Sequence, residues 1–402
     1  MKLPSIIYTL FIATFLERFS TFLIIPFLSI YLSKQFQYSG FEIGVIVSMF
    51  AVSSLFMSFI AAPFVDKINK KIIIYTGLLL VTLSFVTFPF INTFQGFILF
   101  TIVNSVGNSF LSPTYKAMIA IFSDQSNKHI VFNIRYYIIN ISAVLGPLLS
   151  TQIQQFGIHF ICNIIVSAYV LNTIIFTFTF IKNNHNFQIS VKQKQSTIKD
   201  TLMIAMKNKA FLLLMIGLIL FVFGYNVMSG VLPQYFALDH TQVEASKRFA
   251  LLLSINGVTV LTCQYFIFKF SRWTSIRTSI IVGGVLMPIG LFFMGVMDHL
   301  LYQGMAMVLF TLGEMLVFTM VDIQIDELSE ENYKGSYYSL AGLQKLGGLL
   351  APLLGGLLLD HLHNSIELFG ILSLISFVSI IFFVMSYKES INHSHVTQDM
   401  AQ

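Results

Sequence analysis

Seven ionisable side chains fall inside long apolar stretches of this chain: Glu17, Arg18, Lys116, Arg135, Glu314, Asp322 and Lys345. An ionised group at the centre of an apolar helix costs roughly 2.5–3.5 kcal/mol on insertion scales, so each needs a compensating partner or a task. Glu17 and Glu314 are the carboxylates near the middle of their stretches, where a proton taken from one side of a membrane and released on the other would be carried. Of the two, Glu314 is the first choice for that role. Glu17 and Arg18 are adjacent, so on a helix they point about 100° apart and serve different neighbours. Arg135 and Asn140 stand on nearby faces just before a Gly146-Pro147 step, and Lys345 precedes an Ala351-Pro352 step. Each acid–base pair, Glu17–Arg18 and Glu314–Lys345, has a plainer alternative as a fixed salt bridge between helices. Asp322 lies near the end of its stretch, where it opens the acidic run Asp326, Glu327, Glu330, Glu331.

Uncharged polar residues add to the set. Asn104, Asn108 and Ser112 recur at i, i+4 and i+8, with Lys116 one turn further, and so share one helix face. Tyr225, Asn226, Asn256 and Gln344 are candidates for an opposite wall. Singly, each is as well explained by hydrogen bonds between helices. As a group, with Arg18, Arg135, Asn140 and Lys345, they suit a polar or zwitterionic solute.

The elements that must position these groups follow from composition. The chain has 402 residues, 56% apolar and only 10% charged, with a mean hydropathy of +0.80. A soluble domain carries roughly 25% charge, so the solvent here is lipid. Twelve apolar runs, near 6–33, 42–65, 72–92, 95–122, 130–155, 158–181, 210–237, 248–270, 278–297, 301–324, 335–359 and 365–387, are each long enough to cross a hydrocarbon core of roughly 30 Å. The first is too long for a signal-peptide core and is expected to be retained. With the N-terminus inside, sixteen Lys and Arg residues of the connecting segments fall on the inner face and three on the outer. That bias places both termini in the cytoplasm and makes a nucleic-acid reading of the basic charge unnecessary.

The expected fold is an all-α polytopic membrane protein of 12 transmembrane helices in two six-helix bundles. Residues 1–181 form the first half, 182–209 a basic cytoplasmic linker, 210–387 the second half and 388–402 a tail. A duplication is visible in Ser142-x-x-x-Gly146-Pro147-x-x-Ser150-Thr151, which returns 205 residues later as Gly347-x-x-x-Ala351-Pro352-x-x-Gly355-Gly356. Small residues around a proline describe a bent, closely packed helix.

Six plus six spans about a basic central segment resemble the major facilitator superfamily over nearly the whole chain. The segment Ala62-Pro63-Phe64-Val65-Asp66-Lys67-Ile68-Asn69-Lys70-Lys71 is similar to that superfamily's G-x-x-x-D-x-x-G-R-K loop, with Ala62, Asn69 and Lys70 as departures. The resemblance implies a gating role for Asp66, Lys67, Lys70 and Lys71, whose contacts would form in one conformation and break in another. In the second copy Ser271 stands where Asp66 would map. The Gly146-Pro147 segment resembles the antiporter signature of superfamily exporters, and Gly313-Glu314 their Gly-Glu pair. Glu17-Arg18-Phe19 is similar to the first helix of proton-coupled peptide carriers, which have a further Glu where this chain has Thr14.

These resemblances imply a secondary active transporter whose two halves rock about a midplane site. The expected function is proton-coupled export of a small polar or zwitterionic organic molecule, either a metallophore-like metabolite or a drug. Proton-coupled nutrient uptake is the alternative within transport. A polytopic membrane enzyme is the alternative of another class, yet no His–Asp constellation or phosphate-binding loop accompanies the nine histidines. No cofactor and no metal site are expected, and Cys162 and Cys263 both fall within spans. The expected setting is a monomer in the bacterial cell membrane, with a small molecule, protons and lipid as partners.

Overall fold

The computed structural model describes residues 3–67, 69–123, 128–182, 208–329, 337, 340–362 and 364–399, and side chains throughout these except at 25–26, 58–67, 128–129, 268, 271–272 and 391–399. The described chain is helical from end to end. Up to residue 182 lie α1 (Ser5–Phe36), α2 (Gly40–Lys67), α3 (Lys70–Thr87), α4 (Phe94–Phe122), α5 (Lys128–Ile153) and α6 (Gly157–Lys182). From residue 208 onward follow α7 (Lys209–Gly230), α8 (Leu232–Asp239), α9 (Gln242–Trp273), α10 (Ile276–Val296), α11 (Leu300–Leu328), α12 (Lys345–His361), α13 (Ser365–Phe377) and α14 (Ser379–Asp399).

Among the described residues, eleven helical stretches are long and apolar enough to cross a membrane. One of them, Ile130–Lys182, runs to 53 residues, about 80 Å if straight, far more than one crossing needs. It is two helices, α5 and α6, parted at Gly157, whose φ of 82° is open to glycine and costly for other residues. Eleven stretches, one of them double, give twelve crossings.

Polar residues start the helices where the sequence places them. Ser39 and Glu42 open α2 as a reciprocal capping box: the Ser39 N–H donates to Glu42 Oε2 at 2.9 Å and the Glu42 N–H to Ser39 Oγ at 3.2 Å. Thr241 and Glu244 repeat the box ahead of α9, with both bonds at 3.3 Å. The Lys71 N–H donates to Asn69 Oδ1 at 2.9 Å, so the Asn of the loop segment is the cap of α3. Helix 11 of the expected set starts differently: a 3-10 turn, Gly342–Gln344, leads directly into α12.

The chain divides into two compact units, Met1–Lys192 with Pro233–Val258, and Gln193–Leu232 with Thr259–Gln402. The expected linker 182–209 lies outside the described residues apart from its ends, Lys182, Asn208 and Lys209. In the first unit α1 packs on α5, α6 and α4, and α3 on α4 and α6. In the second, α10 packs on α11 and α13, while α7 packs on α12 and α14. The duplication extends to close contacts. A Cβ built on Gly77 of α3 would lie 3.0 Å from the Gly107 carbonyl of α4, and one on Gly283 of α10 would lie 2.7 Å from the Gly313 carbonyl of α11. Both pairs use absent side chains to bring consecutive helices together, as small residues do where there is no hydrophobic force between helices.

Candidate functional site

The first unit holds an ionic cluster with a buried carboxylate and two partly buried arginines. Glu17 in α1 is 2% exposed, and its Oε1 lies 3.6 Å from Arg18 Nη2. The same Nη2 donates to Ser112 Oγ of α4 at 2.8 Å, so Arg18 bridges the two helices. Arg135 of α5 is close enough to interact electrostatically with both: Glu17 attracts it and Arg18 repels it. Two nitrogens, Arg18 Nε and Arg135 Nε, are buried without a hydrogen-bond partner. The three charged groups expected from sequence are thus brought together by α1 and α5 of one unit, with Ser112 of α4 as a neutral partner.

Behind Glu17 stand residues that the sequence did not single out. Tyr115 and Tyr169 are fully buried and within electrostatic reach of Glu17, and Asn172 Nδ2 donates to Tyr115 Oη at 3.4 Å. Asn172, one of two amides in the sixth apolar run with Asn163, was the available signal. The polar face of α4 divides its duties along its length. Asn104 Nδ2 donates to Ser84 Oγ of α3 at 3.0 Å, and Asn108 Nδ2 donates back to Asn104 Oδ1 at 3.0 Å, leaving Asn108 Oδ1 buried without a partner. Ser112 turns to Arg18, and Lys116 is exposed.

The Gly146-Pro147 step sets the approach of α5 to α1. A Cβ on Gly146 would stand 2.7 Å from Phe22 Cβ and 3.0 Å from its carbonyl carbon, so only glycine permits this spacing. Asn140 spends its amide on the Tyr136 carbonyl at 2.9 Å. A Cβ on Gly257 of α9 would lie 3.3 Å from the Asn140 carbonyl oxygen, and Ser254 Oγ donates to the Val144 carbonyl at 3.3 Å. Asn256, next to Gly257, therefore flanks the crossing of α9 with α5.

In the second unit, Phe310, Glu314 and Phe318 form an i, i+4, i+8 stripe on α11. The Tyr225 ring of α7 packs on both phenylalanines, at 6.1 Å from Phe310 and 5.5 Å from Phe318. Glu314, partly buried, thus occupies the turn that Tyr225 straddles. Asn226 donates to the Val222 carbonyl at 2.8 Å and borders Gly348 of α12, where a Cβ would lie 3.4 Å from its Nδ2. Gln344 and Lys345, both partly buried, stand at the junction that begins α12. Gly347 brings α12 against the Ile219 carbonyl of α7, and a Cβ on Gly230 would sit 2.9 Å from Pro352 Cβ. Ala351 and Pro352 are buried in that contact.

Of the loop segment, the Asp66 and Lys67 side chains lie outside the described residues. Lys70 is 3% exposed at the start of α3, and Lys71 Nζ sits 5.3 Å from the Phe180 ring centre. Among the described residues no group of three or more His, Cys, Asp or Glu gathers as a metal site.

Long apolar helices among the described residues define a polytopic all-α membrane protein, and the family and relatives it matches are transporters rather than enzymes. The chain belongs to the Major Facilitator Superfamily, which it matches over residues 10–345. It is 26% identical over 386 residues to the uncharacterized MFS-type transporter YqjV of Bacillus subtilis (strain 168), covering 95% of this chain and 93% of that protein. It is 21% identical over 378 residues, 85% of this chain and 87% of the relative, to the Na(+), Li(+), K(+)/H(+) antiporter of Planococcus maritimus. A crystal structure of the peptide transporter POT superposes with a TM-score of 0.79 at 13% identity, over 96% of this chain and 95% of that one, and shows the shared fold.

Proposed function

We propose that this transporter exports a small polar or zwitterionic organic molecule in exchange for protons, by alternating access, from the cytoplasmic membrane of a bacterium, with both termini in the cytoplasm. The observation that carries this reading is the Glu17–Arg18–Arg135 cluster: three ionisable groups held inside membrane-spanning helices, at a cost that structure alone does not require. Glu314, set between Phe310 and Phe318 under Tyr225, is the second carboxylate and the proposed proton carrier. The bacterial relative that exchanges cations for protons supports antiport, and the Gly146-Pro147 bend supports export. Asp66, Lys67, Lys70 and Lys71 are proposed to bias the conformational equilibrium, with Gly146, Pro147, Ala351 and Pro352 fixing the bent helices.

The test is flux into proteoliposomes under an imposed pH gradient, using the metabolite that accumulates in cells lacking the protein. Export driven by the gradient and abolished by an uncoupler is expected. Flux indifferent to the uncoupler removes proton exchange, and full activity in Glu314→Gln removes Glu314 as the carrier.

A further inference from the structure

We propose that the corner between α9 and α10 is a binding site for an anionic phospholipid, whose phosphate is held by Lys269 and Arg277 while its acyl chains lie along the aromatic face that ends at Trp273.

Depth is the first argument. With 21 residues α10 is about 30 Å long, the thickness of the hydrocarbon core, so its first residue, Ile276, stands at the edge of that core. Trp273, Thr274 and Ser275, where α9 passes into α10, therefore lie at the level of the headgroups. The surface there suits lipid. Tyr265, Lys269 and Trp273 recur at i, i+4 and i+8 and share one face of α9, with Phe266 and Phe270 beside them, and all five are exposed. Trp273, the single tryptophan of the chain, is 78% exposed. An amphipathic ring at that depth stands where a headgroup meets the first carbons of its chains.

Charge is the second. Lys269, Arg272 and Arg277 fall within nine residues, and no Asp or Glu occurs between Glu244 and Asp298. Ser271 stands where Asp66 of the first half maps, so this copy of the corner has lost its acid and kept its cations. Lys269 Nζ lies 5.0 Å from the Trp273 ring centre, and the Arg277 guanidinium 4.8 Å from that of Tyr387 in α14. An aromatic face holds a cation in place without offering an oxygen to its N–H donors. Glu389, two residues beyond Tyr387, pairs with Lys209 at 3.1 Å. A phosphodiester supplies the anion that the corner lacks. The lipid must carry net negative charge. The ammonium of a zwitterionic headgroup would meet cations, and the Trp273 face that could hold it is already covered by Lys269.

The single tryptophan makes the test specific, because its fluorescence reports this corner alone. The full-length protein is reconstituted in phosphatidylcholine vesicles that contain a small fraction of bromine-labelled phosphatidylglycerol or, in parallel, of bromine-labelled phosphatidylcholine with the same chains. Bromine quenches only a ring that it touches. The labelled phosphatidylglycerol is expected to reach half-maximal quenching at a fraction at least about tenfold lower, as engagement of two cations implies. Lys269→Gln and Arg277→Gln should each cut that preference about fivefold. Lys269→Arg keeps the charge and should keep the preference, which separates charge from a folding defect at the same position. Equal quenching by the two labelled lipids, or a preference unmoved by both glutamine variants, would overturn the site. Relief of the quenching by water-soluble glycerol 3-phosphate would assign the corner to a free phosphate and overturn it as a lipid site.

Discussion

Arg18 Nη2 lies 2.8 Å from Ser112 Oγ but 3.6 Å from Glu17 Oε1, so the partly buried arginine bonds a neutral hydroxyl on another helix more closely than the carboxylate beside it in the chain. The adjacent pair is a loose electrostatic one, and the interhelical tie is the hydroxyl. Ser112→Ala should therefore destabilise the protein by about 1 kcal/mol, with Arg18 partly exposed and the bond correspondingly discounted. Thermal unfolding in detergent reads this, and an unchanged midpoint would refute the bridge.

Tyr225 tests the setting of Glu314. Tyr225→Phe keeps both ring contacts with Phe310 and Phe318 and should unfold near the parent temperature, whereas Tyr225→Ala should lose about 3 kcal/mol. Proton-driven flux is expected to fall with the alanine. Flux at the parental rate in Tyr225→Ala would show that the ring does not set the Glu314 turn.

The two glycine pairs should not tolerate a methyl equally. At Gly283 the new Cβ would lie 2.7 Å from a backbone oxygen and 2.9 Å from Leu316 Cβ, neither able to retreat cheaply. At Gly77 the nearest atoms, at 2.8 Å, belong to the flexible Leu111 side chain, with the Gly107 oxygen at 3.0 Å. Gly283→Ala is expected to cost about 1–3 kcal/mol and Gly77→Ala less. Gly342→Ala, with nothing within 4 Å, is the control. Equal losses at 283 and 342 would contradict the close approach.

A cation rests on an aromatic ring at matching places in each unit: Lys71 over Phe180 at 5.3 Å, and Arg277 over Tyr387 at 4.8 Å. Each joins the start of one helix to another helix within its own unit, near the end of α6 at Phe180 and within α14 at Tyr387. Tyr387→Leu should lose about 0.5–1 kcal/mol of stability at its partly exposed site, and Phe180→Leu more, because Phe180 is buried. Solute affinity measured by calorimetry should stay at the parental value, and a large affinity change would tie these pairs to the solute site.

Much of this was legible in the chain. Hydropathy alone sets the number of crossings, because a helix must satisfy its own backbone in lipid and about 20 apolar residues are needed to span it. Glu17, Arg18 and Arg135 stood out because charge in an apolar run is costly whatever surrounds it. The Gly157 break within a 53-residue stretch was also readable, since length forbids one crossing.

Tertiary structure decided the partners. Asn104, Asn108 and Ser112 share a helix face, yet Asn104 answers Ser84 on α3 and Ser112 answers Arg18 on α1, a division that periodicity cannot express. Tyr115 and Asn172 are 57 residues apart, and no local pattern announces their bond behind Glu17. Spacing along one helix fixes which side chains share a face. What that face meets depends on which other helices pack there, and packing is a property of the whole bundle: here it is the close approach at Gly146 that brings α5, and Arg135 with it, to Glu17 and Arg18.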